Sequence, residues 1–110
     1  MMTKKSRAAK VELARDIESY TCGERPSPLA TMRAPKLEQW YPAVRRRGKE
    51  FVMVICGEVH GHPEIAEGMS ISTPAIMWRD RKDRFVRTAT RLYRLGEQIG
   101  REIPIDGVDT

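Results

Sequence analysis

Residues 51–63 read FVMVICGEVHGHP, residues 64–78 EIAEGMSISTPAIMW, residues 79–84 RDRKDR and residues 85–96 FVRTATRLYRLG. In the first stretch Phe51, Met53, Ile55 and Val59 alternate with Val52, Val54 and Cys56, so both faces are apolar. A strand of this kind is central in its sheet and covered on each side. Gly57 marks a bend or bulge. The next strand, Ser70–Trp78, holds Pro74, which has no N–H to give to a ladder. That forces a split: residues 70–73 pair with the end of the first strand and residues 75–78 with the third. A sheet broken in this way curls and partly closes. RDRKDR has the composition of a solvated hairpin turn, and Phe85–Leu95 the Thr, Val and Tyr content of a strand running to Gly96. Leu92, Leu95 and Ile99 also fit a helix from Thr88 onward; strand is the preferred reading.

Toward the amino terminus, Ala9, Leu13, Ile17 and Tyr20 repeat at helical spacing and form one apolar stripe. Ser6 suits the N-cap and Gly23 the C′ position, so a helix spans 6–22 and docks its stripe on the Phe51–Val59 strand. Residues 23–36 form a connector in which Ser27-Pro28 opens one or two helical turns that end before Pro35. Leu37–Val44 reads as a short edge strand, because Pro42 is tolerated at an edge or bulge, with Trp40 and Tyr41 as its anchors. Arg45–Lys49, containing Gly48, is a turn. The expected fold is α+β: an N-terminal amphipathic helix packed on a small three- to four-stranded antiparallel curled sheet. Its parts are a disordered basic tail at 1–5, one domain at 6–96 with the sheet at 37–96, and a C-terminal tail at 97–110 anchored by Ile103 and Ile105.

A chain of 110 residues makes one domain and buries about 65% of its unfolded surface, which suffices for one core and a shallow site. No apolar run approaches the ~20 residues of a membrane span, and the opening MMTKKSRAAK lacks the apolar core of a signal peptide. Cys22 and Cys56 stand without metal spacing and read as reduced thiols. A cytoplasmic protein with no membrane partner and no cofactor is expected. Twenty Lys+Arg against fifteen Asp+Glu give a net charge of +5, which favours anionic partners without identifying them.

Trp40, Gly57-x-Val59-x-Gly61-His62-Pro63, Gly68, Ile71-x-Thr73 and Thr88-x-x-Arg91-x-Tyr93-Arg94-Leu95-Gly96 form a spaced pattern over about half of the chain. In this pattern the chain resembles a family of short alphaproteobacterial proteins of unknown function. It departs from the family at Pro74 and Thr90, where serine is usual. The proline bears on the middle strand; the threonine keeps the hydroxyl. The resemblance implies no activity.

Three groups of residues have chemistry to offer. Cys56, Glu58, His60 and His62 share strand parity and are all competent zinc ligands, but their spacing matches no zinc module and glycines interrupt it, so they read as structural. His62-Pro63 opens a loop closed near Gly68, and His62 can donate a hydrogen bond to a ligand or pin the loop to a backbone carbonyl. Neither Ser70, Ser72 nor Cys56 comes with a base and an orienting acid, so the chain is read as non-enzymatic. Arg84, Arg87, Arg91 and Arg94, with Tyr93 and His62, make the leading binding constellation: arginine forks take phosphate or carboxylate and tyrosine offers a stacking face. Charges on a strand face also guard against edge-to-edge aggregation. The expected function is a binding or regulatory protein that meets an acidic protein surface through a basic strand face. The alternatives are a nucleic-acid-binding accessory protein and a metal-dependent enzyme.

Overall fold

The computed structural model describes residues 4–99 and the short strand at 105–106. Among these residues two helices, α1 (Lys4–Thr21) and α2 (Pro28–Arg33), precede seven strands: β1 (Lys36–Arg47), β2 (Glu50–His60), β3 (Ser70–Ser72), β4 (Ile76–Arg79), β5 (Phe85–Thr88), β6 (Leu92–Leu95) and β7 (Ile105–Asp106). The class is α+β as expected, but the sheet is larger than three or four strands and is mixed. Its order is β3-β2-β1-β6-β5-β4, with β7 also on β1. The neighbours β6 and β7 run parallel to β1, and the remaining ladders are antiparallel.

Both helix boundaries rest on local chemistry. Gly23 takes φ 91°, its N–H donates to Tyr20 O, and Glu24 N–H reaches back to Ser19 O. These two bonds make a Schellman stop that only a residue at ease in left-handed space closes. Ser27 Oγ accepts from Ala30 N–H at 3.1 Å, with Pro28 in the first turn behind it. At its other end α1 starts before Ser6, which is therefore not its cap, and it takes in Lys4 and Lys5. The remainder of the expected tail, residues 1–3, lies outside the described residues.

β1 is the largest correction. It is not an edge strand but the centre of the sheet, and Pro42 sits inside it opposite Ile55. The proline costs no bond to β2. Ile55 turns both backbone groups the other way, its N–H to Thr73 Oγ1 at 3.0 Å and its carbonyl to Thr73 N–H at 2.9 Å. Pro42 and Ile55 thus form a non-hydrogen-bonded pair, in which a missing N–H on that side is not needed. Between Glu38 and Tyr41 the register slips, and Gln39 adopts φ 52°. This bulge turns Trp40 onto the same side as Leu37. Gly57 lies across from it because an added Cβ would come within 3.1 Å of both Glu38 O and Trp40 Cβ. The turn to β2 is only Gly48-Lys49, with Gly48 at φ 63°, as a primed hairpin turn requires.

The split at Pro74 occurs as expected: β3 pairs with β2, and β4 pairs with β5. These strands stand at opposite ends of the sheet order, five spacings apart, or about 24 Å if the sheet were flat. Four peptide steps from Ser72 to Ile76 reach at most about 14 Å. The sheet therefore curls until its ends approach, and Arg79 of β4 comes 5.8 Å above the Trp40 ring of β1. Leu37, Trp40, Ile55, Val59, Val86, Tyr93 and Leu95 fill the interior, with Ile65 of the β2–β3 loop against them. Trp40 is 1% exposed and its indole N–H donates to Gly96 O at 3.0 Å.

The expected single strand Phe85–Leu95 is a hairpin. Thr88 N–H donates to Arg91 O at 2.8 Å and Arg91 N–H to Thr88 Oγ1 at 3.1 Å, closing the turn between β5 and β6. Helix α1 does not cover β2. It seats Tyr20 on Trp78 and Phe85, with ring centroids 6.1 and 5.1 Å apart, on the outer face of β4 and β5. Of its stripe only Tyr20 is buried; Leu13 and Ile17 are half-buried and Ala9 is exposed. The C-terminal region is not only a tail: Trp40 bridges Gln98, and Ile105 pairs with Val44. Ile103 lies outside the described residues. Both cysteines are free, Cys22 exposed and Cys56 buried.

Candidate functional site

Strand alternation divides the six expected binding residues. The ladder pairs Phe85 with Arg94, Val86 with Tyr93 and Arg87 with Leu92. Paired residues share a face, so Arg87 and Arg94 point outward to the helices while Tyr93 points into the interior. Tyr93 is 4% exposed and offers no stacking face; burial pushes its phenol pKa up. Arg94 Nε donates to Ala34 O at 3.0 Å and so ties β6 to the end of α2. Arg84 grips Asp80 with two prongs, at 2.7 and 3.1 Å. Arg79 grips Asp83 likewise at 2.7 and 3.2 Å, so the charged turn is stitched internally and not simply solvated. The hydrogen bond from Arg84 holds the Asp80 carboxyl below its usual range.

His62 sits on the β2–β3 loop with its ring 6.2 Å from that of Tyr93. Its Nδ1 accepts from Glu64 N–H at 3.0 Å, so the neutral ring carries its proton on Nε2. Burial, then the nearby Arg91 charge, lowers its pKa. His62 thus pins its own loop, through a backbone N–H and not the carbonyl expected from the sequence. The possible metal quartet is not assembled. Cys56 Sγ lies 3.8 Å from Arg45 Nη2 and from Ser72 Oγ; Glu58 is exposed; His60 Nδ1 meets Glu67 at 3.1 Å; and His62 follows the left-handed Gly61. Among the described residues no three His, Cys, Asp or Glu side chains converge.

Two of the expected residues do meet, in company the sequence did not suggest. Arg87 and Arg91 line a cleft of about 450 Å³ between α1, α2 and the β5–β6 hairpin, and Arg25 and Arg33 line it with them. This volume lies in the range of small-ligand sites. The Arg87 side chain is 7% exposed. Its Nη2 stands 3.3 Å from Asp16 Oδ2 of α1, and its buried Nε has no hydrogen-bond partner among the described residues. An orphaned buried donor ordinarily costs about 1–3 kcal/mol. The guanidinium groups of Arg25, Arg33 and Arg91 have no ion pair among the described residues. A second cleft adjoins this one and shares Arg25, Pro26 and Leu92 with it; its floor includes Phe85 and Pro28. Arg25, Arg33 and Asp16 were hidden in a connector and a helix that carry no motif, and only the folding of α1 and α2 onto one strand pair brings them together.

Residues 3–104 match the family of unknown function DUF6634. The chain belongs to that family. The match runs from α1 through β6 and stops short of β7, so it takes in the cleft as well as the interior. No curated protein and no solved structure matches the chain. Among the described residues no helix is long and apolar enough to cross a membrane.

Proposed function

We propose that the protein is a non-enzymatic binding module that takes an acidic segment of a partner protein into the cleft between α1, α2 and the β5–β6 hairpin. Arg87 carries the reading: a guanidinium 7% exposed, with one carboxylate neighbour and an unpartnered Nε, set among three further arginines. Buried polar groups are normally satisfied, and a carboxylate entering here gains charge-assisted bonds from donors already in place. The adjoining shelf of Phe85, Leu92 and Pro28 favours a protein segment, because it receives an apolar side chain beside the acidic one. This working surface is narrower than the whole basic strand face, since Arg84 and Arg94 are engaged internally.

Calorimetric titration with a short glutamate-rich peptide tests the reading. Arg33→Gln and Arg91→Gln should each weaken binding several-fold, and added salt should weaken it further. Affinity untouched by both substitutions would exclude the cleft.

A second reading, single-stranded nucleic acid at the β1–β2 hairpin tip, rests on a different observation. Arg46 pairs across the ladder with Phe51, which is 56% exposed, so a cation and a stacking ring stand together next to Arg47 and Lys49. It predicts oligonucleotide binding that falls steeply with salt and weakens in Phe51→Ala. Binding that is indifferent to Phe51 would remove it.

A further inference from the structure

We infer that the anion which the arginine cleft is built to receive is a phosphate monoester on a protein side chain. The inference rests on the reading of this cleft as a site for a protein segment and names the chemistry of its key group. Among the described residues that line the cleft are four arginines and two acidic residues, Glu12 and Asp16, so its lining carries a net charge of +2. A phosphoserine carries a charge of about −1.5 to −2 at neutral pH and so balances that excess, whereas one glutamate leaves about half of it uncompensated.

The donor chemistry points the same way. Among the described residues no lysine lines the cleft. Arginine presents fixed planar forks matched to tetrahedral oxyanions, and clusters of arginine are a recurring means of recognising phosphorylated segments. Three acceptor oxygens can be shared among several forks, whereas a carboxylate has two. Asp16 shows where one of these oxygens belongs. Its Oδ2 sits 3.3 Å from Arg87 Nη2, yet its side chain remains 34% exposed. A carboxylate so placed can turn to solvent and yield its position to a stronger anion. Arg87 itself is held at the base by burial, while Arg25 and Arg33 are exposed at the rim and Arg91 is half-buried. The cleft therefore has an anchoring guanidinium at its base and closing ones above.

The experiment is calorimetric titration of the full chain with a short Gly/Ala peptide carrying a single phosphoserine beside a leucine. The same peptide with glutamate or serine in its place, inorganic phosphate, and adenosine monophosphate are titrated in parallel. The phosphoserine peptide should bind about tenfold more tightly than the glutamate peptide, and the serine peptide should not bind measurably. Arg91→Gln and Arg33→Gln should each weaken the phosphopeptide several-fold. Asp16→Asn should strengthen it, because a competing charge is gone. Thermal unfolding of each variant checks that it is folded; if Asp16→Asn is not, the rim variant Arg33→Gln decides alone.

Equal affinity for phosphoserine and glutamate peptides overturns the phosphate inference and leaves the acidic-segment reading standing. No binding of either peptide overturns both. Inorganic phosphate or adenosine monophosphate binding as tightly as the phosphopeptide overturns the protein side chain as the source of the phosphate.

Discussion

The two faces of the β5–β6 hairpin carry different chemistry over the same few residues. Inward, Val86, Tyr93 and Leu95 join Trp40 and Ile55 in an interior of apolar contacts. Outward, Phe85, Arg87, Leu92 and Arg94 face the helices, and there a guanidinium is as deeply covered as the apolar side chains opposite. Alternation of apolar and charged residues thus does not mean one dry face and one wet face. The outer face is closed by Tyr20, Asp16 and Ala34, and its arginines are held by partners from the helices. The faces are expected to differ in how much stability each loses when a single group is removed.

Trp40→Ala tests the inner face and should have the largest effect, a loss of about 3–5 kcal/mol in denaturant unfolding, from an emptied core position. A loss no larger than that from outer-face changes would mean that the curled interior is not the main source of stability.

Asp80→Asn is expected to cost about 2 kcal/mol, since a charged acceptor leaves the Arg84 fork. It should also change the acid limb. The folded Asp80 pKa is depressed, chiefly by the Arg84 hydrogen bond. Its contribution is therefore complete above the ordinary carboxylate value of about 4 and is lost as pH falls through the lower folded value. Stability measured from neutral to strongly acid pH should decline less steeply in the variant. An unchanged acid limb would show that Asp80 titrates alike in folded and unfolded chains.

Arg87→Met probes the outer face most directly. The partner left behind, Asp16, is one-third exposed and stays hydrated, and the substitution also removes the orphaned Nε donor, so the loss should be no more than about 1 kcal/mol and not the several that follow from stranding a buried charge. A loss equal to that of Trp40→Ala would erase the distinction between the faces. Arg46→Gln, at the exposed hairpin tip, should move stability by no more than about 0.5 kcal/mol; a larger shift would show that the tip contributes to the fold.

Local signals were legible where chemistry is settled within a few residues. Gly23 ends α1, Ser27-Pro28 begins α2, and Pro74 divides the strand between β3 and β4. The continuous apolar run of β2 marked an inner strand, and its paired neighbours on both sides agree. Pro42 misled for a definite reason. A proline is excluded from a central strand only where the ladder needs its N–H; Pro42 turns that position away from β2 toward the stretch of β1 between its pairings with β6 at 36–37 and β7 at 44–45. The parallel pairing of β1 with β6 and β7 left no trace in any window of sequence, since it joins segments about 60 residues apart. The cleft was half visible: Arg87 and Arg91 stood out within one basic run, whereas Arg25, Arg33 and Asp16 did not.

The amino-acid order by itself determined where the chain bends, caps and alternates, because those choices are made by nearest neighbours through φ, missing N–H groups and side-chain period. Only the tertiary structure decided which arginines are spent on Asp80, Asp83 and Ala34 and which are left around the cleft, because a guanidinium's partner is set by what the curled sheet and the helices bring within about 3 Å of it.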